Sequence, residues 1–370
     1  MVNRLEPLVC FSHLRWDFVY QRPQHVMTRI AKHRPVFYYE EPHFGASKSE
    51  VAVRTEGNVR IASPHVAGGP GAATLPIQRQ LLDGFLARQD ARDALLWYYT
   101  PLALEFSRHL DAPRVYDCMD ELSAFKGAAD TTAGLERELL SESVLVFTGG
   151  RSLYQAKRRL HPNVYCFPSA VDARHFAPAS RAEPPELRTV GRPRLVFFGV
   201  IDERLDTKFV EGLARELPEW QVLLIGPTVK IDASTLPRAD NLHYLGMRPY
   251  ESLPAFLEHS DIALLPFALN DATRFISPTK TLEYLAARKP VISTPIADVV
   301  DPYGLKGLVQ ISSTALEAAA VARALITTKP SATWHAAVDA VLSSTSWDAT
   351  VIEMERLIEA ALGAELEAAG

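Results

Sequence analysis

The chain has 370 residues, of which 47% are hydrophobic and 22% are charged. This composition excludes a disordered protein, and the length suffices for two ordinary domains. Lys and Arg total 39 against 44 Asp and Glu, a net charge of -5, so we expect no nucleic-acid partner.

In the first half of the chain, short apolar runs rich in β-branched and aromatic residues alternate with helical patterns, which is typical of βαβ units. The predicted strands are 7–12, 35–40, 94–99, 114–118, 144–148 and 164–167. Helices are predicted between them, among them 23–32 and 153–160. Gly57 and Asn58 indicate a small hairpin of 51–54 with 59–62.

A polar, proline-rich stretch at 172–193 separates this half from a second series of alternating elements. The predicted strands of the second series are 194–199, 221–226, 242–245, 261–266, 290–294 and 308–311. The predicted helices are 207–216, 250–259, 278–288, 315–327, 332–342 and 347–362. The pattern of the first half is therefore repeated.

These elements predict an α/β protein of two Rossmann-like domains that face each other across a cleft, where the carboxyl ends of both sheets converge. The predicted N-terminal domain is 1–172, and 173–193 is a linker. The predicted C-terminal domain is 194–345. Residues 346–370 are predicted to form a helix with one buried apolar stripe, because its apolar positions recur at helical spacing. In this fold class such a helix commonly returns to pack on the first domain, and we expect the same here.

Several kinds of catalytic or cofactor-binding motif are missing from the sequence. There is no Gly-x-Gly-x-x-Gly after a strand, no Walker A sequence, no Gly-x-Ser-x-Gly and no His-Glu-x-x-His. These absences disfavour a dehydrogenase, a P-loop hydrolase and an α/β-hydrolase. No Asp-x-Asp occurs either, so the usual carboxylate pair that holds a metal on a nucleotide diphosphate is missing, and we expect no metal site.

The most informative segment is 277–292. Ser277 is predicted to cap a helix with Pro278 at its first position, so that Thr279 and Lys280 present backbone N–H groups and a positive charge to an anion. Glu283 lies three residues after Lys280 on the same helical face, about 4.5 Å along the axis. A diphosphate at the helix start would leave this carboxylate near the adjoining ribose. The alternative is a capped surface helix with a Lys–Glu pair.

This segment and the preceding strands resemble the nucleotide-sugar domain of GT-B glycosyltransferases, in particular the large retaining family that builds bacterial polysaccharides. The resemblance extends over nearly the whole chain. It implies that 1–172 is the acceptor-side domain and that 194–345 is the nucleotide-sugar-binding domain. Its segments occur in the family's order and approximate spacing: 197–201, 224–227, 241–246 and 277–292.

The resemblance implies roles for individual residues on the donor side. It implies that Gly199 lets the backbone approach the donor phosphate, that Arg204 binds phosphate and that Glu283 binds ribose. It also implies that the loop from Gly246 to Tyr250, with Met247, holds the base. Many relatives carry a second glutamate where this chain has Phe275, so the donor sugar and the stereochemistry stay open.

On the acceptor side, the segments 11–16 and 21–25 resemble a loop of a polysaccharide-transferase subgroup. His13 follows the first strand at its carboxyl end, where it is expected either to meet the cleft or to be structural. Arg22 is interpreted either as a ligand of an anionic acceptor or as the partner of a carboxylate.

The run 116–121 ends another strand and contains the candidate general bases Asp117 and Asp120. Either carboxylate is suited to take a proton from an acceptor hydroxyl or to position the acceptor. Asp120 has a second interpretation, as a helix cap. The basic runs 157–159 and 32–34 suggest peripheral contact with an anionic membrane, or simply solvated helix faces.

We therefore predict a metal-independent glycosyltransferase without a cofactor. It would move a sugar from a nucleotide diphosphate donor, with UDP favoured over GDP, to a saccharide or lipid-linked acceptor in polysaccharide or glycoconjugate synthesis. No membrane-spanning run and no signal-peptide core are found, which predicts a cytoplasmic protein, with contact at the inner membrane face left open. The alternatives are a non-hydrolysing sugar-nucleotide epimerase and a non-catalytic nucleotide-sugar-binding subunit.

Overall fold

The structure, a computed structural model, describes the backbone of residues 6–369 and the side chains through residue 363. The chain divides into two compact units. Of the described residues, the first comprises 6–168 and 348–369, and the second comprises 169–347. Both units are built on largely parallel sheets, so the predicted α/β class with two Rossmann-like domains is confirmed.

Within residues 6–168, nine strands form one sheet. They are β1 Leu8–Ser12, β2 Val36–Glu40, β3 His43–Phe44, β4 Glu50–Glu56, β5 Val59–Val66, β6 Leu95–Tyr98, β7 Arg114–Cys118, β8 Leu145–Thr148 and β9 Val164–Cys166. Their order is β3-β5-β2-β1-β6-β7-β8-β9, with β4 paired to β5. All pairs are parallel except β4 with β5, the predicted hairpin. The strand order reverses at β1, between β2 and β6, and ligands of open α/β sheets bind at such a point.

The helices of the first unit lie between these strands. In chain order they are α1 Arg22–Ile30, α2 Leu75–Gln89, α3 Leu104–Ser107, α4 Thr132–Glu142 and α5 Arg151–Lys157. Every residue of β1, β2 and β6 is buried, as expected of parallel strands covered by helices on both faces.

In the second unit, six strands form a parallel sheet within the described residues. They are β10 Arg194–Phe198, β11 Gln221–Ile225, β12 Leu242–Gly246, β13 Ile262–Leu265, β14 Val291–Ser293 and β15 Gln310–Ile311. Their order is β12-β11-β10-β13-β14-β15, which is the 3-2-1-4-5-6 order of a dinucleotide-binding sheet. The reversal falls between β10 and β13, so the carboxyl ends of these two strands are where the fold favours a ligand.

Alternate residues of β10 pack on opposite faces of this sheet, which explains its continuous apolar run. Leu195 and Phe197 belong to one buried cluster, and Val196 and Phe198 belong to the other. The helices of this unit are α6 Ala173–Phe176, α7 Thr207–Glu216, α8 Leu253–Glu258, α9 Lys280–Ala286, α10 Ala297–Val299, α11 Ala315–Thr327 and α12 Ala332–Ser343.

The segment 173–193, predicted to be a linker, is part of the second unit. Phe176 and Leu187 are buried in one of its two hydrophobic clusters, so the segment packs as part of the domain. The polar composition of the stretch gives no sequence signal for these two buried side chains.

The last helix, α13 Trp347–Ala369, is grouped with the first unit from Asp348 onward. Val351, Met354 and Ile358 are buried, and their spacing of three and four residues forms one helical stripe. Asp348 also accepts a hydrogen bond from the Arg29 Nε at 2.7 Å.

Candidate functional site

The second sheet offers a close approach of backbone at its carboxyl edge, at the ends of β10 and β11. The N–H of Gly199 donates to the carbonyl of Ile225 at 2.9 Å. The N–H of Gly226 donates to the carbonyl of Gly246, also at 2.9 Å. A Cβ on Gly226 would lie 1.8 Å from the carbonyl oxygen of Gly199. Gly199 and Gly226 have positive φ, 156° and 151°, so the chain needs glycine at both positions. These glycines leave bare backbone at the strand ends.

The helix α9 follows β13 and begins at Lys280, two residues later than predicted. Ser277 is therefore not its cap. Thr279 occupies that position, and its hydroxyl donates to Ser169 Oγ at 2.9 Å without capping the helix. The carbonyl of Pro278 accepts an i+3 bond from Thr281, so the chain makes a tight turn first. Because the helix has only seven residues, most of the positive charge at its start comes from the Lys280 ammonium.

Glu283 is the most unusual polar group of this edge. Its side chain is 2% exposed, and its Oε2 has no hydrogen-bond partner among the described residues. Lys280 Nζ lies 3.7 Å from that oxygen, beyond hydrogen-bonding distance. Burial raises the pKa of the Glu283 carboxyl, and the Lys280 charge opposes this rise. A buried carboxylate with an unfilled acceptor indicates a site for donor groups of a ligand.

Aromatic residues tie this part of α9 to β10. The backbone N–H of Phe198 donates to the Tyr284 hydroxyl at 3.0 Å, and the two rings pack edge to face. Lys280 Nζ lies 5.6 Å from the centre of the Phe198 ring, within the range of a cation–π contact. Lys280 and Glu283 are thereby held against the strand end that carries Gly199.

Arg204, predicted to bind phosphate, is already paired. Its Nε and Nη2 donate to the carboxylate of Asp202 at 2.7–3.1 Å, and its backbone N–H donates to the same carboxylate. The structure thus adds Asp202, which sequence reasoning missed, as the residue that orients this guanidinium. A phosphate would have to share Arg204 with Asp202.

The loop 246–250 after β12 contains two of the predicted donor residues. Met247 is exposed, whereas Tyr250 is partly buried and stacks on His175, with ring centres 4.3 Å apart. His175 Nε2 lies 3.1 Å from the carbonyl of Tyr250. In the same loop, Arg248 forms an ion pair of 3.1 Å with Glu186. Sequence reasoning missed both His175 and Glu186, because they lie in the segment predicted to be a linker.

In the first unit, the structure brings together Arg22 and Asp117, and this overturns the interpretation of Asp117 as a free general base and of Arg22 as an acceptor ligand. Asp117 is fully buried and Arg22 is 2% exposed. Arg22 donates to both carboxylate oxygens at 2.8–3.0 Å, and its Nη1 donates to the carbonyl of Phe167. Of the two interpretations of Arg22, partner of a carboxylate is the one observed.

His13 and Asp120 follow the carboxyl ends of β1 and β7, and both are partly buried. Asp120 lies in the loop before a short helical turn at Leu122–Ala124, and its carbonyl accepts a weak bond from the Cys118 thiol. Glu121 occupies the N-cap position of this turn, so Asp120 does not cap it. These two residues are the candidates for chemistry that remain at this edge of the first sheet.

The basic run 157–159 is divided between interior and surface. Lys157 is buried and forms ion pairs of 2.8 Å with Glu121 and Glu136. Glu136 also accepts a hydrogen bond from the Tyr116 hydroxyl. Lys157 is therefore a structural anchor and not part of a surface patch, whereas Arg158 and Arg159 are exposed.

Two features are absent from the described part of the chain. No group of three or more His, Cys, Asp or Glu side chains there could hold a metal ion. No helix among residues 6–369 is long and apolar enough to cross a membrane.

Comparison with solved structures identifies the class of fold. Sucrose-phosphate synthase (tll1590) from Thermosynechococcus elongatus superimposes with a TM-score of 0.76 at 13% identity, over 97% of this chain and 100% of that one. Anabaena Alr3699/HepE in complex with UDP-glucose gives 0.68 at 13% identity, over 95% and 99%. The fold is that of GT-B glycosyltransferases.

Sequence comparison gives the family of the second unit. Residues 192–328 match the family of glycosyl transferases group 1, so this unit carries a glycosyl transferases group 1 domain. TuaH of Bacillus subtilis (strain 168), whose name describes a teichuronic acid biosynthesis glycosyltransferase, is 26% identical over 218 residues. The alignment covers 54% of this chain and 55% of TuaH, so the chain spans about half the length of this curated relative.

Proposed function

We propose that the protein transfers a sugar from a nucleotide diphosphate donor to a saccharide or lipid-linked acceptor in polysaccharide or glycoconjugate synthesis. The domain match and the similarity to a named glycosyltransferase support transfer as the reaction class. UDP is the nucleotide that we favour over GDP, since a solved structure with the same fold is described with UDP-glucose.

The observation that carries the proposal is the Glu283 carboxylate, buried but with an unfilled acceptor oxygen. Burial of this carboxylate is unfavourable, and the Lys280 ammonium 3.7 Å away compensates it only in part, because the pKa of Glu283 is still raised. Two vicinal hydroxyls of a ribose supply two donors for two carboxylate oxygens. Lys280, beside Glu283 on the same helix, would then neutralise the diphosphate that adjoins the ribose.

During transfer, the bond between the anomeric carbon and the diphosphate oxygen breaks, and negative charge grows on the leaving diphosphate. Lys280 can stabilise this charge directly. Arg204 can contribute as well, with a guanidinium that it shares between the diphosphate and Asp202. Fixed positive groups of this kind perform the role that a divalent cation has in other transferases, so we propose transfer without a metal or another cofactor.

On the acceptor side, Asp120 is our candidate for the group that accepts or orients the proton of the acceptor hydroxyl. His13 is the second candidate. Asp117 is withdrawn from this role because its carboxylate is committed to Arg22. For a lipid-linked acceptor, we propose a cytoplasmic protein that contacts the inner membrane face peripherally, with exposed residues such as Arg158 and Arg159 as candidate contacts.

The test is calorimetry with UDP, GDP and a panel of their sugars, on the natural chain and on two variants. Glu283→Ala should weaken binding of the preferred nucleotide at least about tenfold, since hydrogen bonds to a charged group are lost. Glu211→Ala, which removes an exposed glutamate of α7 in the same unit, is the matched control and should leave affinity unchanged. Absence of nucleotide binding to the natural chain, or equal affinities of all three proteins, would refute the proposal.

Product analysis separates the alternatives. An epimerase converts the sugar nucleotide into a second sugar nucleotide with no acceptor present. A non-catalytic subunit binds UDP but releases none from UDP-sugars. A transferase releases UDP slowly from the donor alone, through water, and faster when the acceptor is added.

A further inference from the structure

The segment 169–187, called the brace below, contacts the donor side of the second unit at three points. At its start, Ser169 Oγ accepts from Thr279 and donates to the carbonyl of Ser277 at 3.4 Å, just before α9. In its middle, His175 contacts Tyr250. Near its end, Glu186 pairs with Arg248. The brace thus touches both the start of α9 and the loop 246–250.

The contact of His175 with Tyr250 has two components. The rings are nearly parallel, at an interplanar angle of 8° with centres 4.3 Å apart. His175 Nε2 also lies 3.1 Å from the Tyr250 carbonyl oxygen, and because a carbonyl only accepts, Nε2 must be the protonated nitrogen. One side chain therefore fixes both the ring and the backbone of the loop.

His175 is itself held in place. Its backbone N–H donates to Asp172 Oδ1 at 3.3 Å, and its backbone carbonyl accepts from Arg181 Nη2 at 2.8 Å. Arg181 is in turn paired with Glu258 of α8. The imidazole is thus presented from a fixed backbone.

A chain of ring contacts connects the loop with Lys280. The Phe176 ring packs edge to face on Tyr250 with centres 5.6 Å apart, and it is parallel to the Phe198 ring at 6.1 Å. Phe198 lies under the Lys280 ammonium. The loop 246–250 is therefore positioned relative to Lys280 and Glu283 through side chains of the brace.

We infer that His175 is a positioning residue for the nucleotide base: it holds the loop 246–250 at the distance from Glu283 that a base attached to the ribose requires. This rests on the proposed function. A base lies on the side of the ribose away from the diphosphate, and the loop is the polar backbone segment that the brace contacts besides the start of α9. Fixing the loop in advance removes an ordering cost from binding.

The experiment compares three variants by calorimetry with UDP and GDP. His175→Ala removes both stacking and the hydrogen bond, and His175→Phe keeps a stacking ring without the donor. His259→Ala is the matched control, because His259 Nε2 also contacts a brace carbonyl, that of Arg181 at 2.8 Å, away from the loop. Melting temperatures and kcat at saturating donor are measured in parallel.

His175→Ala should raise the Kd of the preferred nucleotide about tenfold, from one hydrogen bond and one aromatic contact. The ratio of the UDP and GDP affinities should move toward one, while kcat changes less than about threefold. His175→Phe should lie between, and His259→Ala should lower the melting temperature without changing the ratio.

Three outcomes would overturn the inference. They are an unchanged Kd and ratio in both His175 variants, the same loss in His259→Ala, or a fall in kcat with affinity intact. If the natural chain binds neither UDP nor GDP, the proposed function itself fails and this inference falls with it. If His175→Ala does not fold, His175→Phe decides the question alone.

Discussion

The Arg22 guanidinium donates three hydrogen bonds to the Asp117 carboxylate, across 95 residues of sequence and inside the core of the first unit. Both groups are almost completely buried, so neither charge has water to solvate it. In such a pair each partner compensates the other, and removing one leaves an uncompensated charge. The pair fastens the start of α1 to the end of β7.

Asp117→Asn should therefore destabilise the protein by about 3–5 kcal/mol, because Arg22 would stay buried with a neutral partner. Urea denaturation followed by tryptophan fluorescence measures this loss. The double variant Arg22→Met with Asp117→Leu should recover most of it, since replacing both charges removes the desolvation penalty as well. A fully stable single variant with impaired transfer would restore Asp117 as a catalytic candidate.

Glu283→Gln should make the ligand-free protein more stable at neutral pH while it weakens donor binding. Burial raises the pKa of this carboxyl in the folded state. A raised carboxyl pKa means that the folded protein favours the protonated form, so stability falls as pH rises through that pKa. Gln has no charge to bury. The melting temperature of the Glu283→Gln variant at pH 8 should therefore exceed that of the natural chain by about 2–4 °C.

The pH dependence distinguishes this explanation from better packing of the amide. The difference in melting temperature should shrink as pH falls toward the acid range, where Glu283 itself takes a proton. A difference that is constant with pH would contradict it. In donor kinetics, the same change should raise KM more than it lowers kcat.

Lys280→Ala should lower kcat as well as affinity, because the charge that Lys280 faces grows during the reaction. One charge-assisted contact is worth about 1.5–3 kcal/mol, or about 10- to 100-fold in kcat/KM. UDP release from a UDP-sugar measures the rate. Lys208→Ala, an exposed lysine of α7 in the same unit, should have no effect, and equal losses in the two variants would argue against a role for Lys280.

Activity should persist in EDTA. In the proposed reaction, Lys280 and Arg204 provide the positive charge that a metal would otherwise supply. The measurement is UDP release before and after dialysis against EDTA, followed by addition of Mg²⁺ or Mn²⁺. Complete loss that either ion restores would show that a metal takes part.

Met354→Ala should lower the free energy of unfolding by about 2–5 kcal/mol, the usual range for a large-to-small change in a core. Met354 is fully buried in α13. Ile352→Ala serves as the control in the same helix, because Ile352 is 67% exposed and exposed changes usually have little effect. Thermal unfolding of both variants would reveal whether α13 is structurally required.

Outside the hairpin, the strand bounds could be predicted from sequence to within two residues, except that the short β3 was not predicted. The strands β6 and β13 are continuous apolar runs, so the signal that marks them is local. The predicted hairpin was too short, because β4 is exposed and polar and so lacks an apolar signal. The start of α9 was wrong by two residues, because Pro278 turns the chain before the helix forms.

The site could be predicted only in part. Glu283 could be singled out from the sequence because Lys280 lies on the same helical face. The partners of Asp117 and Arg204 could not be predicted, since the role of a charged side chain depends on which opposite charge the fold brings to it. His175 carried no signal at all, because its partner lies 75 residues away and its own segment resembles an ordinary loop.

The backbone crossing at Gly226 bears on how sequence variation in this domain should be interpreted. A side chain there collides with main-chain atoms that cannot yield, so every substitution acts on folding before it can act on catalysis. In a library selected only for solubility, position 226 should already be depleted of all residues but glycine. An invariant glycine at this position is thus evidence about sterics, whereas variation or its absence at Lys280 and Glu283 reports on the ligand.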